Sequence, residues 1–195
     1  MHRLADENEN EKEREPRFRM GEKLLETRTI TIFGEINMKL AQTVIQQLLV
    51  LAADSDEPIK IFINSPGGHV ESGDTIFDII RFVDAPVKVI GTGWVASAGA
   101  LIYAAVPREN RYSLPNTRFL LHQPMGGARG QAADIAIEAE EILKMRHRLN
   151  QILAAQTGQP LEKVERDTDR NFWMSAEQAR EYGLVGHIIN SGKEV

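Results

Sequence analysis

The feature that most constrains this chain is an alternation. From residue 28 to about residue 106, short β-branched runs take turns with segments whose apolar residues recur at helical spacing. Residues 28–33 (RTITIF) alternate like a half-buried strand. Asn37 then stands as an N-cap, and Leu40, Val44, Ile45, Leu48 and Leu51 follow at helical intervals. After Pro58, residues 59–63 (IKIFI) read as a second strand. A helix from about 71 to 83 carries Ile76, Phe77, Ile79 and Ile80, and Asp84-Ala85-Pro86 breaks it. Residues 87–90 read as a buried strand. Strand–helix–strand order with crossovers of this length packs as βαβ units on a mainly parallel sheet. The expected fold class is α/β.

Downstream the pattern changes. An apolar run covers 100–106, and residues 119–121 form a strand ending at His122. From Gln131 to about 156 the periodicity predicts one long helix. Ile135, Ala139, Ile142, Leu149 and Ile152 make its stripe, and the opposite face is charged. Pro160 opens a short helix. Ser175 and Gln178 form a capping box for a helix ending near Gly183. Residues 184–189 read as a last strand. The 195 residues suit one domain, expected over 20–195. Residues 1–19 hold six acids and five bases with almost nothing to bury, which predicts a disordered segment.

Composition removes several functions. A net charge of -5 gives nucleic acid no electrostatic foothold. With 0 cysteines there is no disulfide, no thiolate metal site and no Cys nucleophile, which suits a cytoplasmic setting. No apolar stretch is long enough to cross a bilayer, and the charged N-terminus lacks the apolar centre of a signal peptide.

Nucleophiles are then sought among Ser, Thr, Lys and carboxylates. Ser97 stands apart, between a buried strand and an apolar helix, with Ala96, Ala98 and Gly99 leaving room for another chain. Its N–H would lie at a helix N-terminus, where negative charge is favoured. The surroundings do not match G-x-S-x-G. Local sequence alone favours a plain N-cap for Ser97. Ser65-Pro66-Gly67-Gly68 could turn backbone N–H groups toward an oxyanion, or be an ordinary turn. No G-K-[ST] follows, so it is not a phosphate loop. Of the five histidines, His122 sits at a strand end beside a Gly-rich segment, where a general base and a structural His are equally good readings. His69 adjoins the glycine turn, His147 lies among charged helix residues, His187 lies in a strand-like run, and His2 lies in the N-terminal segment. No cluster has metal-ligand spacing, so no metal is expected.

Taken in order, Asn64-Ser-Pro-Gly-Gly68, Ala96-Ser97, Leu114-Pro-Asn116, His122-Gln-Pro124, Gly130-Gln131, Thr157-Gly-Gln159, Asp167-Thr-Asp-Arg170 and Tyr182-Gly-Leu184 resemble the ClpP family, the proteolytic subunits of ATP-dependent Clp proteases. The resemblance covers about residues 24–189. It implies a ClpP/crotonase-like spiral of βαβ units, with a compact head and a protruding handle at about 123–157. It implies two stacked seven-membered rings, polypeptide substrates, and an AAA+ ATPase that alone uses ATP, with no cofactor in this chain. By position, Ser97 is the nucleophile and His122 the base. Gly68 and Ala98 supply the oxyanion hole, and Gly67, Gly68, Val70 and Met125 flank the substrate. Asp169, Arg170 and Gln131 fall at the ring–ring interface.

The sequence departs from that pattern in three places. Asn171 replaces the third, acidic triad residue, Gly186 replaces an Asp, and residues 1–19 are charged rather than apolar. An acid holds the His tautomer and stabilises the imidazolium. An Asn carries no charge, and in a trypsin-like protease the change lowers kcat about 10⁴-fold. The expectation is therefore a serine endopeptidase, weak or silent alone and activated in a mixed barrel with a paralogue. The alternative is an inactive regulatory subunit of such a barrel. An acyl-CoA-binding crotonase relative and a non-enzymatic scaffold are further readings, and neither accounts for the Ser–His pair.

Overall fold

The computed structural model describes residues 20–127 and 129–195. The expectation for residues 1–19 lies outside them. After a helical stretch at 20–26 the chain enters β1 (Thr29–Phe33), which pairs in parallel with β2 (Ile59–Ser65). β2 pairs in parallel with β3 (Val87–Ala96). The crossovers are α1 (Met38–Asp54) and α2 (Val70–Phe82), as the alternation requires. Asn37 caps α1, its Oδ1 accepting the Leu40 N–H at 2.9 Å. The β-branched residues fill the core. Ile30, Ile32, Ile59, Ile61, Ile63 and Val89 are all buried, each worth about 1.5–3 kcal/mol relative to exposure.

β3 is the element that positions the site, and it is longer than the expected 87–90. It continues through the glycine segment because two different neighbours take up its backbone groups. Val89–Gly91 pair with β4 (Arg111–Ser113), and Trp94–Ala96 pair with β5 (Arg118–Leu121). Between the two sections, Gly93 adopts φ 61, and a Cβ there would lie 2.8 Å from Asn64 Oδ1. The sheet forks at this bend. β7 (His187–Ile188) extends β4 in parallel, while β6 (Phe172–Ser175) runs antiparallel to β5. β4 and β6 are too short and irregular in pattern to be read from sequence.

Two boundaries are corrected. The apolar run 100–106 is not one helix. α3 (Ala98–Tyr103) starts earlier, and Ala104–Val106 is a buried turn. The expected strand 184–189 contracts to β7. Leu184 and Val185 are buried outside any strand, and the chain passes so close to Arg108 that a Cβ on Gly186 would lie 2.0 Å from the Arg108 carbonyl oxygen. That backbone approach leaves no room for a side chain at position 186.

α4 (Ala132–Thr157) spans 26 residues, or about 39 Å. It buries only Asn150, Leu153 and Thr157, near its C-terminal end. The preceding turns protrude, with Ile135, Ile137 and Leu143 exposed. Gly158 ends the helix in the left-handed conformation. α5 (Leu161–Asp167) follows Pro160, and α6 (Ala176–Tyr182) starts on the expected capping box. Arg111 pins α4 to the head. It is 1% exposed and donates to Val106 O at 2.7 Å and Gln156 O at 2.8 Å. Burial lowers its pKa to about 10, so it stays charged at neutral pH.

Candidate active site

β3 ends at Ala96 and α3 begins at Ala98, so Ser97 alone makes the corner. Its backbone is held at φ 55, ψ -122, a conformation that costs a residue with a Cβ on the order of 1–3 kcal/mol. The strain is held by three hydrogen bonds. Ser97 N–H donates to Leu120 O at 2.9 Å, and Ala100 and Leu101 N–H donate to Ser97 O at 2.9 and 3.2 Å. Ser97 does occupy the N-cap position, but its side chain makes no cap bond. Among the described residues the hydroxyl has no hydrogen-bond partner.

The glycine turn packs directly on this corner. A Cβ on Gly67 would lie 2.6 Å from Ser97 Cβ and 3.2 Å from Ala98 N. A Cβ on Gly68 would lie 2.2 Å from Ile36 O. Both residues have positive φ, 95 and 149. Ile36 N–H donates to Gly67 O and His69 N–H donates to Ile36 O, while Gly67 N–H goes to Ser65 Oγ at 3.0 Å. The Gly68 N–H enters none of these bonds. The Ala98 N–H, at the first position of α3, has no intrahelical acceptor. Both are available to an oxyanion beside Ser97.

His122 follows the last residue of β5. Ser97, Ala98, Val70 and His122 line one cleft, with walls from Leu101, Leu121, Pro124 and α4. On its other side His122 lines a groove with Met125, Asp169, Arg170 and Asn171. Gln123 ties the two strand ends together. Its N–H donates to Thr168 O at 2.7 Å and its Nε2 to Asp169 O at 2.7 Å. Burial pushes the half-buried His122 imidazole below its ordinary 6.5, and no charged neighbour offsets that shift. Among the described residues, no hydrogen bond joins the His122 ring to Ser97 or to Asn171. The ring is neutral at pH 7 and able to accept a proton, but it is not oriented by a third residue.

The remaining expected residues are spread wider. Met125 is 87% exposed in the groove. Asp169 accepts from Arg146 Nη2 of α4 at 3.0 Å, and the Arg170 side chain is fully turned to solvent. Gln131 stands exposed before α4, apart from both cavities. His69 bonds Ser72 Oγ at 2.8 Å and approaches Glu71 at 3.1 Å. His147 pairs with Glu165 on the surface, and His187 stacks on Tyr112. Sequence reading missed Asn150, which is buried in the wall of the Ser97 cleft. Its only signal was a polar residue in register with Leu153 and Thr157. Among the described residues no group of three or more His, Cys, Asp or Glu could hold a metal, and no helix is long and apolar enough to cross a membrane.

A parallel sheet carrying a free serine on a strained corner beside a neutral histidine belongs with the α/β peptidases. The chain belongs to the Clp protease family, which residues 12–192 match. It is 58% identical to ATP-dependent Clp protease proteolytic subunit 3 of Rhizobium johnstonii, over 98% of this chain and 100% of the relative. It is 61% identical to proteolytic subunit 2 of Gluconobacter oxydans, over 97% of this chain and 86% of the relative. Among solved structures it superposes on an Asn-to-Asp variant of ClpP1 from Listeria monocytogenes with a TM-score of 0.84 at 53% identity, covering 89% of this chain and 98% of that one.

Proposed function

We propose that this chain is a serine endopeptidase subunit of a barrel-shaped Clp protease, cleaving unfolded polypeptides and short peptides. The observation that carries the reading is the unbonded Ser97 hydroxyl, held on a strained corner in one cleft with a neutral His122. Ser97 Oγ attacks the scissile carbonyl as His122 takes its proton. The carbonyl oxygen becomes an oxyanion between the N–H groups of Gly68 and Ala98. His122 returns the proton to the leaving amine, and water releases the acyl group by the same relay. The stretch from Gly67 to Val70 and the segment at Met125 flank an extended substrate by strand-like pairing.

Asn171 is the weak point. It lies beside His122 but brings no charge to the imidazolium. The chain is therefore weak or silent alone and gains activity in a mixed barrel with a competent paralogue. It works in two stacked heptameric rings in the cytoplasm, with Asp169, Arg170 and Gln131 at the ring–ring contact. An AAA+ ATPase delivers the substrate, and this chain needs no cofactor of its own.

A second reading, an inactive regulatory subunit, is favoured by the absence of a hydrogen bond between His122 and either Ser97 or Asn171. Hydrolysis of a short fluorogenic peptide, by the chain alone and mixed with a competent family partner, decides between them. Activity in the mixture that drops with Ser97→Ala is the expected result. Activity indifferent to Ser97→Ala in both settings establishes the inactive subunit.

A further inference from the structure

The oxyanion site is built on glycine, and glycine does not hold itself. Gly68, at φ 149, is open to many conformations until its neighbours fix it. Upstream, Gly67 N–H is tied to Ser65 Oγ, and Gly67 O accepts the Ile36 N–H. Downstream, the first side chain is His69, which opens α2 at the N-cap but caps no backbone N–H. Its ring engages side chains of the first turn instead. Nδ1 lies 2.8 Å from Ser72 Oγ, and Nε2 lies 3.1 Å from Glu71 Oε2. The carboxylate draws the ring proton to Nε2, so Nδ1 accepts the Ser72 hydroxyl. Ser72 is fully buried and gives the ring a fixed anchor, whereas Glu71 is exposed. The turn braced in this way touches both oxyanion donors. It follows Gly68 directly, and its Gly73 packs so closely on the serine corner that a Cβ there would lie 3.1 Å from Ala98 Cβ.

We infer that His69 is a positioning residue for the oxyanion site. Its bond to Ser72 fixes the first turn of α2, and with it the spacing of the Gly68 and Ala98 N–H groups. This rests on Ser97 being the nucleophile and on those two donors receiving the oxyanion. Donors aimed at a developing charge are effective only if they are held in place before it forms. His69 supplies that hold on the one side of Gly68 where no other side chain does.

The test labels Ser97 with an alkyl fluorophosphonate and with its P=S counterpart. The full-length chain is mixed with a competent family partner, and intact mass separates the two chains. Ser97 Oγ attacks phosphorus, fluoride leaves, and His122 takes the proton. Charge develops on oxygen in one probe and on sulfur, the weaker hydrogen-bond acceptor, in the other. The oxygen-to-sulfur rate ratio therefore reads the oxyanion donors, while a change in stability or assembly alters both rates alike. His69→Leu is expected to lower the ratio about threefold to tenfold, short of the 10²–10³ or so that a lost donor costs. Ser72→Ala should lower it likewise. His69→Asn, whose Oδ1 stands where Nδ1 stood, should restore the ratio, and His69→Gln, which reaches toward Glu71 instead, should not. A ratio left unchanged by His69→Leu or Ser72→Ala, or restored by His69→Gln and not by His69→Asn, overturns the inference and leaves the oxyanion donors in place. A ratio in the unaltered chain no higher than in hydrolysis of the free probes overturns those donors as well. No labelling of the unaltered chain in the mixture, or labelling that survives Ser97→Ala, overturns the nucleophile and the inference together.

Discussion

Ser97 and Gly67 constrain each other. The serine can hold φ 55 only if nothing crowds its Cβ, and the residue lying against that Cβ is Gly67. Gly67→Ala adds a carbon 2.6 Å from Ser97 Cβ at a position with φ 95. The backbone conformation alone costs on the order of 1–3 kcal/mol, and the clash pushes the serine off its corner. A lower Tm together with lost fluorophosphonate labelling of Ser97 is expected. Gly192→Ala, with nothing within 4 Å of the added carbon, should change neither.

His122 gives the residue scale its pH dependence. Burial holds its folded pKa below 6.5. As pH falls below about 6.5, the unfolded chain takes up a proton that the folded chain refuses, so stability is lost on acidification. Above 6.5 both states are neutral and the group contributes nothing. The acid limb of Ser97 labelling should accordingly lie below 6.5. Asn171→Asp places a carboxylate in the same groove, which favours the imidazolium and raises the His122 pKa. The limb should then move to higher pH and peptidase activity should rise, with about 10⁴ as the ceiling. An unmoved limb would mean that residue 171 does not reach the ring.

At the scale of elements, legibility followed periodicity. α1, α2, α4 and the β1–β2 pair were readable because each carries several turns or alternations of one pattern, and Asn37 and Ser175 cap where their side chains predict. β4 and β6 span three and four residues, too few for a period, and exist only because β3 forks and leaves partners for them, while the expected strand 184–189 keeps only the two residues of β7 that pair with β4. The same holds within the site. Ser97 and the glycine turn had local signals, but an N-cap and a nucleophile look alike until the hydroxyl is seen to cap nothing. Asn150 and Arg111 had almost no signal. Each is a polar residue in a buried position, and only the carbonyls and hydroxyl around it show why it is tolerated.

At the scale of the whole molecule, α4 is the anomaly. A helix exposed through its N-terminal turns should be polar there, yet Ile135 is 42%, Ile137 60% and Leu143 63% exposed. Nearby Met125 is more exposed still. Large apolar side chains gathered on one protruding element mark a surface that another chain covers. Ile135, Ile137 and Leu143 line neither the cleft nor the groove beside His122, so their role can be separated from chemistry. Leu143→Lys and Ile137→Lys should leave the circular dichroism spectrum unchanged, because neither residue packs on the head. Sedimentation should show the assembly reduced to a smaller species, since in the proposed stacked-ring barrel each substitution places an ammonium against the facing ring. Peptide hydrolysis in mixtures with a competent partner should fall with the loss of assembly and recover as protein concentration rises. A sedimentation profile identical to that of the unaltered chain would place the ring–ring contact elsewhere, and the exposed handle would then need a different partner.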